Sequence, residues 1–183
     1  MVVTTTSQDR NIQARVSNYT DVEVRFRPGS FDRYTEQRLG EQLSRLGLTS
    51  WVAYHRGRSQ AYQKALNLSD EELAASERPS TDPRRRQYEQ ELNRVEGEGV
   101  SATGAVRINT LGMMQWRVDI KPGSIARLGE QRFVTDLHSA VVSLLNNRES
   151  KITLLKANYF DLGIPREWLE RAQQFQQKAK RRR

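Results

Sequence analysis

The chain has 183 residues, 30 of them Lys or Arg against 22 Asp or Glu, for a net charge of +8, and it contains no cysteine. That length admits one ordinary domain or two small ones, and the absence of cysteine excludes disulfides and thiolate metal sites. No run approaches the roughly 18 apolar residues of a membrane span, and the N-terminus lacks the basic flank and apolar core of a secretory leader, so the expectation is a cytoplasmic protein that does not enter a membrane.

In chain order, Val2 to Thr6 is β-branched throughout. "NIQARVS" puts Ile12, Ala14 and Val16 on one face, and "DVEVRFRP" puts Val22, Val24 and Phe26 on one face with Glu23, Arg25 and Arg27 on the other. This alternation predicts a meander with one wet face. Pro28 offers no ladder donor and ends the last strand, and Gly29 lets the chain turn. Leu39, Leu43 and Leu46 then recur at helical spacing, which predicts a long helix from about residue 35, with Thr35 as its N-cap.

"SDEELAASE" reads as a short helix capped by Ser69, and "RPSTDP" as a polar break. "RRRQYEQELNRVE" reads as a further helix. "GVSATGAVRINTL" and "MMQWRVDIKP" place Val106 and Ile108, then Trp116, Val118 and Ile120, at alternating positions, with Gly112 in the turn between them. Phe133, Leu137, Val141, Leu144 and Leu145 form the stripe of a second long helix, with Gly129 where the first has Thr35. A last helix starts at Pro165, carries Trp168, Leu169, Ala172 and Phe175 on one stripe, and frays into a basic end.

The two meander-helix segments are copies. Between residues 24–43 and 118–137 nine of twenty positions are identical without a gap, among them the PGS turns at 28–30 and 122–124 and the pairs Arg33/Arg127 and Leu43/Leu137. Small repeated units are marginal alone, so the two are expected to pack together as a built-in dimer. The division expected is a first repeat at 1–67 without a leading helix, a polar linker with a short helix at 68–86, a second repeat at 87–160, and a C-terminal helix and basic tail at 161–183.

Charge follows this division. Lys and Arg against Asp and Glu count 10 to 6 in residues 1–67, 5 to 9 in 68–100, 8 to 5 in 101–163 and 7 to 2 in 164–183. The excess therefore lies on both repeats and the tail, a distribution that favours polyanions, nucleic acid above all.

A polar helix, a meander ending in "VDIKPGS" and a long helix, as in "VEGEGVSATGAVRINTLGMMQWRVDIKPGSIARLGEQRFVTDLHSAVVSLLNN", resemble the YbaB/EbfC family of bacterial nucleoid-associated proteins. "IQARVSNYTDVEVRFRPGSFDRYTEQRLGEQLSRL" is similar with its leading helix missing. The resemblance implies an α+β fold of two antiparallel meander-plus-helix units forming a YbaB-like pseudo-dimer, and sequence-independent DNA binding in the nucleoid. Some relatives are connected with type VII secretion, which implies the alternative of a protein-binding adaptor or scaffold. A homo-oligomer is compatible with either.

Candidate nucleic-acid contacts are Arg25 and Arg27 on the wet strand face, and Arg56, Arg58 and Lys64 in "HRGRSQAYQK", where Tyr54 and Tyr62 add stacking to phosphate contact. Arg84, Arg85 and Arg86, and the tail's Lys178, Lys180, Arg181, Arg182 and Arg183, suit diffuse attachment, since flexible arms need only charge. Ser30 with Arg33 and Ser124 with Arg127 could cradle a phosphate, but a strand-to-helix turn kept for its shape is the preferred reading. With no P-loop, dinucleotide fingerprint or HExxH motif, no enzyme activity, cofactor or metal is expected.

Overall fold

The structure is a computed structural model that describes residues 1–17, 21–76, 78, 80–163, 165, 167–171 and 174. It is an α+β fold with two three-stranded antiparallel sheets. The first sheet holds β1 (Val3–Thr6), β2 (Ile12–Val16) and β3 (Val22–Phe26), in that order. After a single 3-10 turn, Phe31–Arg33, comes α1 (Glu36–Ala65). Two shorter helices, α2 (Asp70–Ser76) and α3 (Pro83–Leu92), lead into β4 (Glu96–Val100), β5 (Val106–Leu111), β6 (Gln115–Ile120) and α4 (Ser124–Tyr159).

The repeat seen in the sequence is kept in the hydrogen-bonded register. Ile12 pairs with Phe26 and Val106 with Ile120, while Val3 pairs with Val16 and Gly97 with Thr110. Every pair of the first sheet has its counterpart 94 positions on. The β1–β2 and β4–β5 turns match as well: the Ser7 and Ser101 hydroxyls accept from the Ile12 and Val106 amides at 2.9 and 3.0 Å. A one-residue slip would turn every inward side chain outward, so so close a match marks both inner faces as buried against the same kind of partner.

Those partners are shared between the halves. Helix α1 lies against β1 and β2 of its own half and against β6 of the other, and α4 lies against β4 and β5 of its own half and against β3 of the other. One hydrophobic core results, holding Phe26, Phe31, Leu39 and Leu43 from the first half with Ile108, Val118, Phe133 and Leu137 from the second. Phe31 and Phe133 meet at 5.3 Å between ring centroids, and Phe26 stands edge-on to Phe31 at 5.0 Å. Burial of each such side chain contributes about 1.5–3 kcal/mol, and either half alone would expose its share to water.

Local chemistry sets the helix starts. The Thr35 hydroxyl accepts from the Arg38 amide at 3.3 Å, capping α1. At the matching position Gly129 has φ 65° and interrupts the helical run of α4, so the main body of that helix starts where the copy in α1 does. Ser69 and Glu72 cap α2 reciprocally, and Asp82 caps α3 with Pro83 behind it. Because α3 begins at Pro83, the linker boundary expected at residue 86 falls inside this helix. Helix α3 packs along α4, with Tyr88 edge-on to Phe160 at 5.2 Å.

The two halves treat their outer strands differently. In the second half α4 lines up Asp136, Ser139, Ser143 and Asn147 to accept from the outward amides of Thr103, Ala102, Val100 and Glu98 at 3.1, 3.0, 3.4 and 3.2 Å. Lys151 extends the row by donating to the Glu96 carbonyl at 2.8 Å. This polar row closes the free edge of β4. Gly99 makes the approach possible: a Cβ there would overlap the Ala140 carbonyl and stand 2.6 Å from the Leu144 amide. In the first half the turn is clasped in this way, the Asp9 amide donating to Gln42 Oε1 at 3.4 Å, and β1 meets α1 through the hydroxyls of Thr5 and Ser50 at 2.6 Å.

Residues 167–171 are helical, as expected beyond Pro165, but Trp168 is 66% exposed rather than packed. Of the stripe assigned to that helix, Ala172 and Phe175 lie outside the described residues, as do the tail's Lys178, Lys180, Arg181, Arg182 and Arg183. Among the described residues no helix is long and apolar enough to cross a membrane.

Candidate nucleic-acid interface

Helix α1 outruns its sheet. Thirty residues at about 1.5 Å each make a rod far longer than a five-residue strand. Its buried residues, Leu39, Gly40, Leu43, Leu46 and Ser50, all lie in the first half of that rod, and none lies beyond Ser50. Beyond Ser50 the helix leaves the core by degrees, with Trp51 and Tyr54 lining the seam of the halves and Gly57 facing Met1 and Val3, and it carries Arg56, Arg58 and Lys64, all exposed.

Residues 42–69 include four basic residues, Arg45, Arg56, Arg58 and Lys64, and no Asp or Glu. Arg45 donates to Gln8. Among the described residues no carboxylate lies within 4.0 Å of the charged groups of Arg56, Arg58 or Lys64. These three do not share one face. At about 100° per residue Arg56 and Lys64 fall about 80° apart, and Arg58 points to another side, so together they ring the projecting helix.

The other candidates are placed differently. Arg25 stands on the wet face of β3, as its alternation predicts, but is bound to Glu23 at 2.6 Å. In the second half the pair recurs with its signs exchanged, Arg117 to Asp119 at 3.0 Å. Each pair cancels its own charge, which leaves the strands less basic than their arginines suggest. Arg27 is exposed just past the strand. Arg84, Arg85 and Arg86 are exposed in the first turn of α3, and Arg85 reaches Glu89 at 3.3 Å. Positive charge at a helix N-terminus opposes the helix dipole, so Arg84 and Arg86 do not stabilise α3 through it.

The PGS turns bond largely within themselves, although among the described residues the buried Ser124 hydroxyl lacks the partner that Ser30 has. The Ser30 and Ser124 amides donate to the Arg27 and Lys121 carbonyls at 2.9 and 3.1 Å, and the Ser30 hydroxyl donates to the Arg27 carbonyl at 2.7 Å. With these amides already spent, the turns have the geometry of a strand-to-helix corner.

At the root of the projecting helix the two long helices meet around Trp51. The Arg148 guanidinium of α4 lies over its ring at 5.2 Å, and His55 lies 4.2 Å from it on α1. Burial, then the charges of Arg58 and Arg148, hold the His55 imidazole below its ordinary pKa. Beneath it lies an apolar cavity of about 90 Å³ at the seam of the halves, lined by Val22, Trp51 and Tyr54 from the first and Met113, Trp116 and Val141 from the second. His138 is exposed on α4, and among the described residues no group of His, Asp and Glu is placed to hold a metal.

Sequence reasoning located the basic stretch but not its isolation from acids, which follows from counting Asp and Glu between Glu41 and Asp70. Comparison with protein-family models, with curated proteins and with solved structures gives no match.

Proposed function

We propose that the chain is a single-chain pseudo-dimer of the YbaB/EbfC kind that binds DNA in the nucleoid through phosphate contacts, with little sequence preference. The observation that carries this reading is the projecting half of α1, where Arg56, Arg58 and Lys64 surround a helix with no acid from residue 42 to residue 69. Charges arranged around a rod suit a polyanion that can be approached from several sides, and they offer no fixed fork for reading one base edge. The packing of each long helix on both halves supports the pseudo-dimer, because two chains built this way would each complete the other's core. Arg84 and Arg86 add cations without carboxylate partners among the described residues.

The test is charge reversal. The variant Arg56→Glu, Arg58→Glu, Lys64→Glu changes exposed residues only and is expected to fold. Its affinity for duplex DNA at moderate salt should fall by about tenfold or more, and added salt should narrow the gap from the parent. A parent that scarcely binds DNA, together with a stoichiometric protein partner retained after nuclease treatment, would replace this reading with the adaptor.

A further inference from the structure

Three residues of the projecting helix and its C-cap residue, Leu66, make a pattern beyond simple phosphate tracking. Tyr54, Arg58, Tyr62 and Leu66 follow one another at intervals of four, each about 40° past a full turn, and so make one slowly winding stripe. Tyr54 is half-buried at the cavity rim, and Arg58 is exposed beyond it. Tyr62 and Leu66 are 55% and 52% exposed, although the helix could have turned them inward only if a core existed there. Beside them stand Ala61 and Ala65, exposed and too small to screen the tyrosine ring.

A duplex presents sugar and phosphate to such a helix and keeps its base faces stacked inside, so it gives an exposed Tyr and Leu nothing to bury. A single strand offers both: phosphates for Arg58 and unstacked base faces for the ring. We infer that the Tyr54–Arg58–Tyr62–Leu66 stripe is a stacking platform for single-stranded nucleic acid, with a base on the Tyr62 ring and the adjoining phosphate on Arg58. This inference rests on the nucleic-acid reading above and narrows it to a strand with accessible bases. The charge complementarity is that of the acid-free segment, 42–69. The aromatic row continues inward through Tyr54 to Trp51 and His55, which pack on one another and under Arg148 and so anchor the root of the helix.

The experiment measures binding of the full chain to thymidine and uridine homopolymers of about 20 residues and to a duplex of equal length, by fluorescence anisotropy at one salt concentration. Tyr62→Ala should weaken homopolymer binding about tenfold and change duplex binding by less than about twofold, whereas Tyr62→Phe, which keeps the ring, should match the parent. The deoxy and ribo arms separate DNA from RNA as the source of the strand. If Tyr62→Ala leaves homopolymer binding within about twofold while the charge reversal still weakens the duplex, the platform is refuted and the phosphate reading stands. A parent that binds neither form refutes both. Loss of binding to vesicles of anionic and neutral phospholipid in Tyr62→Ala, with homopolymer binding unchanged, would also overturn the platform and assign the stripe to a lipid surface.

Discussion

Substituting Gly99 with alanine puts the strongest steric demand on the contact between β4 and α4. The new methyl would overlap the Ala140 carbonyl and sit 2.6 Å from the Leu144 amide and 2.7 Å from Leu144 Cβ, against an ordinary contact of 3.4–4 Å. Helix and strand must part by about 1 Å, and overpacking of that kind costs about 1–3 kcal/mol. The same movement stretches the bonds from Val100 to Ser143 and from Glu98 to Asn147, already 3.4 and 3.2 Å long. Each is worth about 0.5–1.5 kcal/mol. Alanine recovers about 0.5–1 kcal/mol by restricting the unfolded chain, which leaves a net loss of about 2 kcal/mol. Urea unfolding followed by far-ultraviolet circular dichroism measures it, and the thermal midpoint should fall by about 4–8 °C. An alanine variant as stable as the parent, or more so, would refute the direct seating of α4 on the β4 backbone.

Phe133→Ala removes a fully buried ring at the meeting of the halves and should cost about 3–5 kcal/mol. Unfolding should remain one transition by circular dichroism and tryptophan fluorescence, because the halves share that core. Tyr34→Phe removes the hydroxyl that donates to Asp9 at 2.5 Å and should cost about 1.5–3 kcal/mol, the usual worth of a bond to a charged group. Burial and the Asp9 carboxylate push the Tyr34 hydroxyl up to about 12 from 10.0. The unfolded chain therefore ionises first, and the contribution is whole below about pH 10 and is lost as pH rises through about 12. Stability measured across that window should decline in the parent by more than in the phenylalanine variant.

Much of the fold was readable because copying repeats a signal. Alternation at Val22, Val24 and Phe26 and again at Trp116, Val118 and Ile120 fixed the inner faces, and alignment of Thr35 with Gly129 located the start of α1 and the break inside α4, whose helical run begins earlier, at Ser124. Strand β4 was not readable: "EGEGV" has two glycines and no alternation of apolar residues, and it is held in place by α4 rather than by its own propensity. For the same reason Asp136, Ser139, Ser143 and Asn147 look like polar interruptions of a helix until the edge they close is known. At the candidate site the basic cluster was legible as composition. Its projection beyond the core was not, since the exposure of residues 51–65 depends on where the short sheets end. The pairing of Arg25 with Glu23 was within reach, because residues two apart on a strand share a face.

The central claim is that phosphate contacts made by α1 hold nucleic acid, and the dependence of the parent's DNA affinity on salt tests it most directly. With about three or four phosphates neutralised, the slope of log affinity against log salt should be about −3 to −4 and the same for duplexes of unrelated sequence. A flat slope, or no binding at about 50 mM salt, where such contacts are strongest, would contradict it.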